Sequence, residues 1–158
     1  YIATLPVADL VAHVVAWANE YGDDTHKMQV ADTKYLGAVL GIERDNPKRI
    51  RKDFITWRQT LAEVAYFWPA LYHKNAEFEF NRDLLAGFLA TYDVNDDKDT
   101  WWNKIVAIAT KAGVKNGDVA MNLRVAMTGR TNTPDLYSVM RVMGGDMVKQ
   151  RIEEIVNG

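Results

Sequence analysis

"NPKRIRKDFITWRQTLAEVAYFWP", residues 46–69, decides the fold class. Asn46 can accept a hydrogen bond from a first helical turn, and Pro47 has no N–H to leave unpaired there. The pair therefore reads as an N-cap followed by the first helical position. From that point Ile50, Phe54, Trp57, Leu61, Val64 and Trp68 recur at steps of three and four residues, the stripe of a helix with one buried face. Pro69 bends or ends this helix, because its ring replaces the amide hydrogen and crowds the preceding turn.

The same period runs along the rest of the chain. After Pro6, residues 7–21 place Leu10, Val14 and Trp17 on one face, and Gly22-Asp23-Asp24 stops the run. One short helix is expected over 28–40, ahead of Gly41. Residues 73–80 are irregular and read as a connector, after which Asn81 caps a helix that reaches about Tyr92. "DVNDDKD", 93–99, reads as a solvated acidic loop. Further helices are expected over 100–112, ended by Gly113, and over roughly 118–128. Thr133-Pro134 opens another, with Leu136, Val139, Met140 and Met143 on one face, and Gly144-Gly145 closes it. A final helix carries Val148, Ile152 and Ile155. Few segments alternate with period two, so the fold class is all-α. The connector divides it into two consecutive helical bundles, 1–72 and 73–158.

Composition excludes several kinds of chemistry. With 158 residues, 48% of them hydrophobic, the chain can bury a core. A net charge of −2 argues against a generally basic nucleic-acid coat but leaves room for a local basic patch. There is no cysteine, hence no disulfide, thiolate ligand or cysteine nucleophile. His13, His26 and His73 are scattered without metal-ligand spacing, so no metal site is expected. Neither a Gly-rich phosphate loop nor a GxSxG elbow occurs. Glu77/Glu79 and Glu153-Glu154 read as solvent-facing carboxylates. Trp101 and Trp102 are neighbours, and a helix turns about 100° per residue, so the two rings cannot both be buried on one face. No apolar run approaches the roughly 18 residues of a membrane span, and no basic-then-apolar leader opens the sequence. A cytoplasmic location is expected. Opening on Tyr1, the chain is expected to be a fragment or a processed product.

Two basic clusters remain. Arg51 and Arg58 lie seven residues apart on one flank of the 46–69 helix. Lys48, Arg49 and Lys52 crowd its start, where the helix dipole is already positive. The second cluster is "NLRVAMTGRTNTPDL", 122–136. There Arg124 falls off the Val119–Leu123–Ala126 stripe, Arg130 follows the Gly129 terminator, and Thr133 is placed to cap a helix at Pro134. A capped N-terminus still offers N–H groups to an anion, and guanidinium planes both pair with phosphates and stack on unpaired bases. Those are the parts of an RNA reader. Off the core stripe, Arg124 is expected to matter for recognition and not for folding.

At these residues the sequence resembles a known family. "GVKNGDVAMNLRVAMTGRTNTPDLYSVMRVMGGDMVKQRI", 113–152, is similar to the C-terminal anticodon-binding region of bacterial-type glutamyl-tRNA synthetases. The likeness rests on Gly113, Lys115, Gly117, Leu123-Arg124, Ala126, Thr128-Gly129, Pro134, Leu136, Gly144 and Arg151-Ile152. "YIATLPVADL" and "TWRQTLAEVAYFW" resemble the same family more weakly. Asn122 stands where the family usually has proline, which is expected to change how that helix begins.

The resemblance implies a pair of helical bundles, the α-helix cage, that recognises the anticodon loop of glutamate tRNA. Arg124 matches the arginine that contacts an anticodon base. Thr133, Pro134 and Leu136 match the loop and helix start at the same nucleotides, with Arg130 in that loop. Arg58 and Arg51 are the candidates for an arginine of the first bundle that helps read the anticodon. The class I signatures HIGH and KMSKS are absent. The resemblance thus implies the C-terminal part of a glutamate–tRNA ligase, inactive alone, whose ATP and magnesium belong to the catalytic domain of the same parent chain. It implies a monomer that binds tRNA, with neither DNA nor membrane as partner. The alternative, from another class, is an all-helical protein-interaction domain without RNA binding.

Overall fold

The structure, a computed structural model, describes residues 6–42, 57–133 and 135–158. Among them are nine α-helices, one 3-10 turn and no strand. The chain falls into two compact units, Tyr1–Tyr72 and His73–Gly158.

In the first unit lie α1 (Val7–Tyr21), α2 (Asp24–Val30), α3 (Thr33–Leu40) and α4 (Trp57–Glu63). Leu10, Val14 and Ala18 of α1 pack with Leu36, Val39 and Leu40 of α3. Ala18, not Trp17, completes the α1 stripe; Trp17 is only half-buried. The single helix expected over 28–40 is two helices. Asp23 and Asp32 explain the division, since each carboxylate accepts the N–H of the third residue of its own helix, His26 and Tyr35, at 3.1 and 3.0 Å.

The opening stretch departs from its expected single helix. Residues 46–56, and with them Arg51, lie outside the described residues. Of the remainder α4 ends at Glu63, and Ala65–Phe67 tightens into a 3-10 turn, Trp68 N–H donating to Ala65 at 3.0 Å. Pro69 supplies the reason: it can donate no hydrogen bond to the 65 carbonyl, and it disfavours helical dihedrals at Trp68. Leu61, Val64 and Trp68 are still buried. Two cross-links tie this stretch to its unit: Gln29 Nε2 donates to the Leu61 carbonyl at 2.9 Å, and Tyr35 Oη to that of Phe67 at 2.7 Å.

The second unit contains α5 (Arg82–Thr91), α6 (Lys98–Ala112), α7 (Asn116–Thr128), α8 (Leu136–Met143) and α9 (Gly145–Asn157). α5 packs on α9, α6 and α7; α7 also packs on α6, α8 and α9, and is the most enclosed helix of the group. Leu123, Val125, Ala126 and Met127 have no exposed surface. α6 and α7 begin two residues earlier than the sequence suggests. The acidic loop 93–99 is exposed as expected, Asp96 alone being half-buried, and it is also bonded: Asp97 caps α6 through Thr100 N–H at 2.7 Å, and Asp96 pairs with Lys104. Tyr137 Oη and Arg141 Nη1 of α8 donate to the 96 and 94 carbonyls at 2.8 and 2.9 Å.

Asn122 does not begin a helix but sits inside α7, buried. Its Oδ1 accepts the Asn81 N–H at 2.7 Å and its Nδ2 donates to the Asp118 carbonyl at 2.9 Å. The side chain thus supplies the start of α5 with an acceptor. Asn122→Ala should strand that N–H and cost about 1–3 kcal/mol; urea denaturation of the variant reads this directly, and an unchanged midpoint would show that water takes over the bond.

Candidate nucleic-acid interface

The 122–136 cluster becomes a braced loop. Gly129 ends α7 in the left-handed region, φ 74°, its N–H on the Val125 carbonyl at 2.8 Å. Beyond it the backbone is folded back on α7. Thr128 Oγ1 lies 2.7 Å from the Arg124 carbonyl and 3.2 Å from that of Arg130, and accepts the Arg130 N–H at 3.0 Å. From the other side Asn75 Nδ2 donates to the Gly129 carbonyl at 3.2 Å, while Asn75 Oδ1 accepts the N–H groups of Glu77 and Phe78 at 3.0 Å. The 73–80 connector is therefore one wall of the loop.

Arg124 is half-buried, and its Nη1 lies 3.2 Å from both the carbonyl and the hydroxyl of Thr133. It holds the far end of the loop, so it is a structural brace as well as a surface cation, and its loss is now expected to touch folding as well as recognition. Nη1 makes both of these bonds, and a guanidinium carries five N–H groups. Thr133 is not the cap of the next helix. Asp135 is: its carboxylate accepts the Ser138 N–H at 3.2 Å and hydroxyl at 2.9 Å. An Asp three residues ahead of Ser138 was the legible sign of it. Pro134 lies outside the described residues. Leu136 is 3% exposed, so its side chain belongs to the core. Arg130 is half-buried beside the loop backbone.

Lys98, which sequence reasoning passed over, reaches across from α6 to Asp135 at 3.3 Å. Burial raises the Asp135 pKa, but the Ser138 hydroxyl and N–H and the Lys98 ammonium together outweigh it and hold the carboxyl below its ordinary value of 3.8. A depressed folded pKa contributes stability above the unfolded value, lost as pH falls through the folded one. The cap is therefore fully ionised near neutrality. Asp135→Ala should cost about 0.5–2 kcal/mol at neutral pH, and the difference from the parent chain should shrink in melts taken below that ordinary value. A constant difference across that range would show that the carboxylate charge is irrelevant.

A buried arginine anchors the cluster from beneath. Arg151 of α9, 4% exposed, donates through Nη1 to the Met127 carbonyl and lies 3.7 Å from Met143 Sδ. It satisfies a carbonyl at the end of α7, next to the Gly129 turn. Above, Trp101 is buried at 5% exposure against Tyr137, ring centroids 5.4 Å apart, while Trp102 is 40% exposed. In the first unit, exposed Arg58 lies over the Trp17 ring, 5.5 Å from its centroid. Its charge also lowers the Asp23 pKa, behind the larger effect of the His26 N–H bond.

No group of three or more His, Cys, Asp or Glu among the described residues could hold a metal ion. None of the described helices is long and apolar enough to cross a membrane. What the loop can offer is a set of cations and N–H donors on a rigid frame, suited to anionic or base-edge acceptors.

A family model described as anticodon binding domain matches residues 9–156. The chain is 30% identical over 162 residues to a glutamate–tRNA ligase of Clostridium perfringens, with 86% of this chain and 30% of that protein covered. A glutamate–tRNA ligase of Acetivibrio thermocellus is 29% identical, covering 98% of this chain and 32% of the relative. One from Sorangium cellulosum is 31% identical, covering 96% and 30%. The chain thus spans about a third of the length of the curated relatives it matches.

Proposed function

The chain belongs to the anticodon binding domain family, and from that premise we propose that it reads the anticodon loop of glutamate tRNA for a glutamate–tRNA ligase. The observation that carries this reading is the braced loop at 129–133, set by Arg124 and flanked by Arg130 and Lys98, inside the matched residues. One nitrogen of Arg124 fixes the loop, and its other N–H groups are the ones to meet a splayed-out base. Arg130 and Lys98 add charge toward the phosphates, and Arg58 is a separate cation on the first unit. The family match disfavours a protein-interaction domain.

Aminoacylation belongs to a class I catalytic domain elsewhere in the parent chain, which binds ATP and magnesium. This chain alone is inactive in ATP–pyrophosphate exchange. The parent works in the cytoplasm as a monomer, on tRNA and not on DNA or membrane. The test is equilibrium binding of the glutamate anticodon stem-loop and of anticodon-substituted versions across a salt series. Binding should prefer the glutamate anticodon, and it should weaken as salt rises, because phosphate contacts release counterions. Equal affinity for all anticodons, or no binding at low salt, would overturn the proposal.

A further inference from the structure

We propose that Trp102 is a stacking platform for an unpaired base of the bound RNA loop; the proposal rests on the anticodon reading above and adds a contact which that reading does not contain. On α6 the core positions are Trp101, Ile105 and Ala109. Trp102, turned about 100° from Trp101, is 40% exposed, an exposed large hydrophobic side chain on α6. Its place on the helix is informative. Lys98 lies four residues earlier on the same face and is bonded to Asp135, the residue that closes the reading loop. α6 and α7 pack together and are joined only by 113–115, so they run antiparallel. The first turns of α6, with Trp102, therefore flank the last turns of α7, with Arg124 and Thr128. Both relations put the indole at the border of the loop. Trp101 backs it, ring centroids 6.2 Å apart and planes inclined 40°, and is itself held by Tyr137. The exposed ring thus rests on a fixed aromatic support.

A partly exposed indole with Lys98 on its face of the helix, at a loop that carries Arg124 and Arg130, suits a partner with a flat π-face on an anionic chain, which describes a single-stranded nucleic acid. Stacking does not read base edges, so Trp102 should add affinity without discrimination, unlike Arg124. The experiment compares wild type, Trp102→Leu and Trp102→Tyr for binding to the glutamate anticodon stem-loop and to an anticodon-substituted one. Trp102→Leu should weaken both RNAs alike by about 5- to 100-fold, and Trp102→Tyr should recover most of the loss. Quenching of tryptophan fluorescence on RNA addition should fall in Trp102→Leu, with the thermal melt preserved because the ring is exposed. If wild type binds no stem-loop, the anticodon reading fails and this proposal with it. If wild type binds and Trp102→Leu binds equally well, stacking alone is overturned and Trp102 serves another surface. Equal loss with Leu and Tyr would also overturn it, since a platform tolerates any aromatic ring.

Discussion

Arg124→Ala should erase most of the preference for the glutamate anticodon and lower the melting temperature as well. Base-directed arginine contacts carry roughly 1–3 kcal/mol of discrimination in DNA complexes, taken here by analogy, or about 5- to 150-fold. The stability loss comes from the two Thr133 acceptors that Nη1 now serves. Partly solvated, they are worth on the order of 1 kcal/mol together, a shift of about 2–4 °C for a chain of this size. Two controls separate the roles. Arg124→Lys keeps the charge and loses the planar fork, so overall affinity should survive better than anticodon preference. Thr133→Val removes one acceptor from the brace and leaves the guanidinium, so preference should survive with slightly reduced stability. If Arg124→Ala weakens all stem-loops equally, with discrimination intact, the arginine is a phosphate contact and not a base reader.

Gly129→Ala is expected to destabilise the second unit more than any surface change. The residue needs φ 74°, which costs an alanine on the order of 1–2 kcal/mol. A Cβ there would also stand 2.5 Å from the His73 carbonyl oxygen, a backbone atom that cannot swing aside. Relief requires the 73–75 wall to retreat and the Asn75 bond to Gly129 to stretch, so a total of about 3 kcal/mol or more is expected. Gly113 is the internal control. It has φ 71° and nothing within 4 Å of an added Cβ, so Gly113→Ala should suffer only the dihedral cost. Equal midpoints for the two variants in denaturant would show that the His73 wall yields freely.

The sequence carried the fold because its helices are amphipathic and capped by short polar side chains. Both signals are local, and stripes such as Leu10–Val14 and Leu136–Val139–Met140–Met143 appear buried as written. It misplaced what depends on partners far along the chain. Thr133 looked like a cap because it precedes a proline; the structure gives that task to Asp135 and turns Thr133 toward Arg124, nine residues back. Leu136 fitted the loop by resemblance, yet its side chain completes the core. Asn75, Lys98 and Arg151 act on the loop across intervals of 54, 37 and 24 residues, and no pattern of spacing announces such bonds.

The buried guanidinium of Arg151 has a consequence for the order in which the molecule matures. It closes the end of α7 from a helix that leaves the ribosome after the other helices of the second unit, and α9 also packs on α5, the first helix of that unit. Until residues 145–157 have emerged and docked, the Met127 carbonyl lacks this donor and α5 lacks one of its packing partners. Synthesis proceeds at roughly 5–20 residues per second, and domains settle as whole units. The 129–133 loop is thus completed only once the last helix of the second unit has docked. A nascent chain halted inside α8 carries every residue of the loop without the frame that sets it.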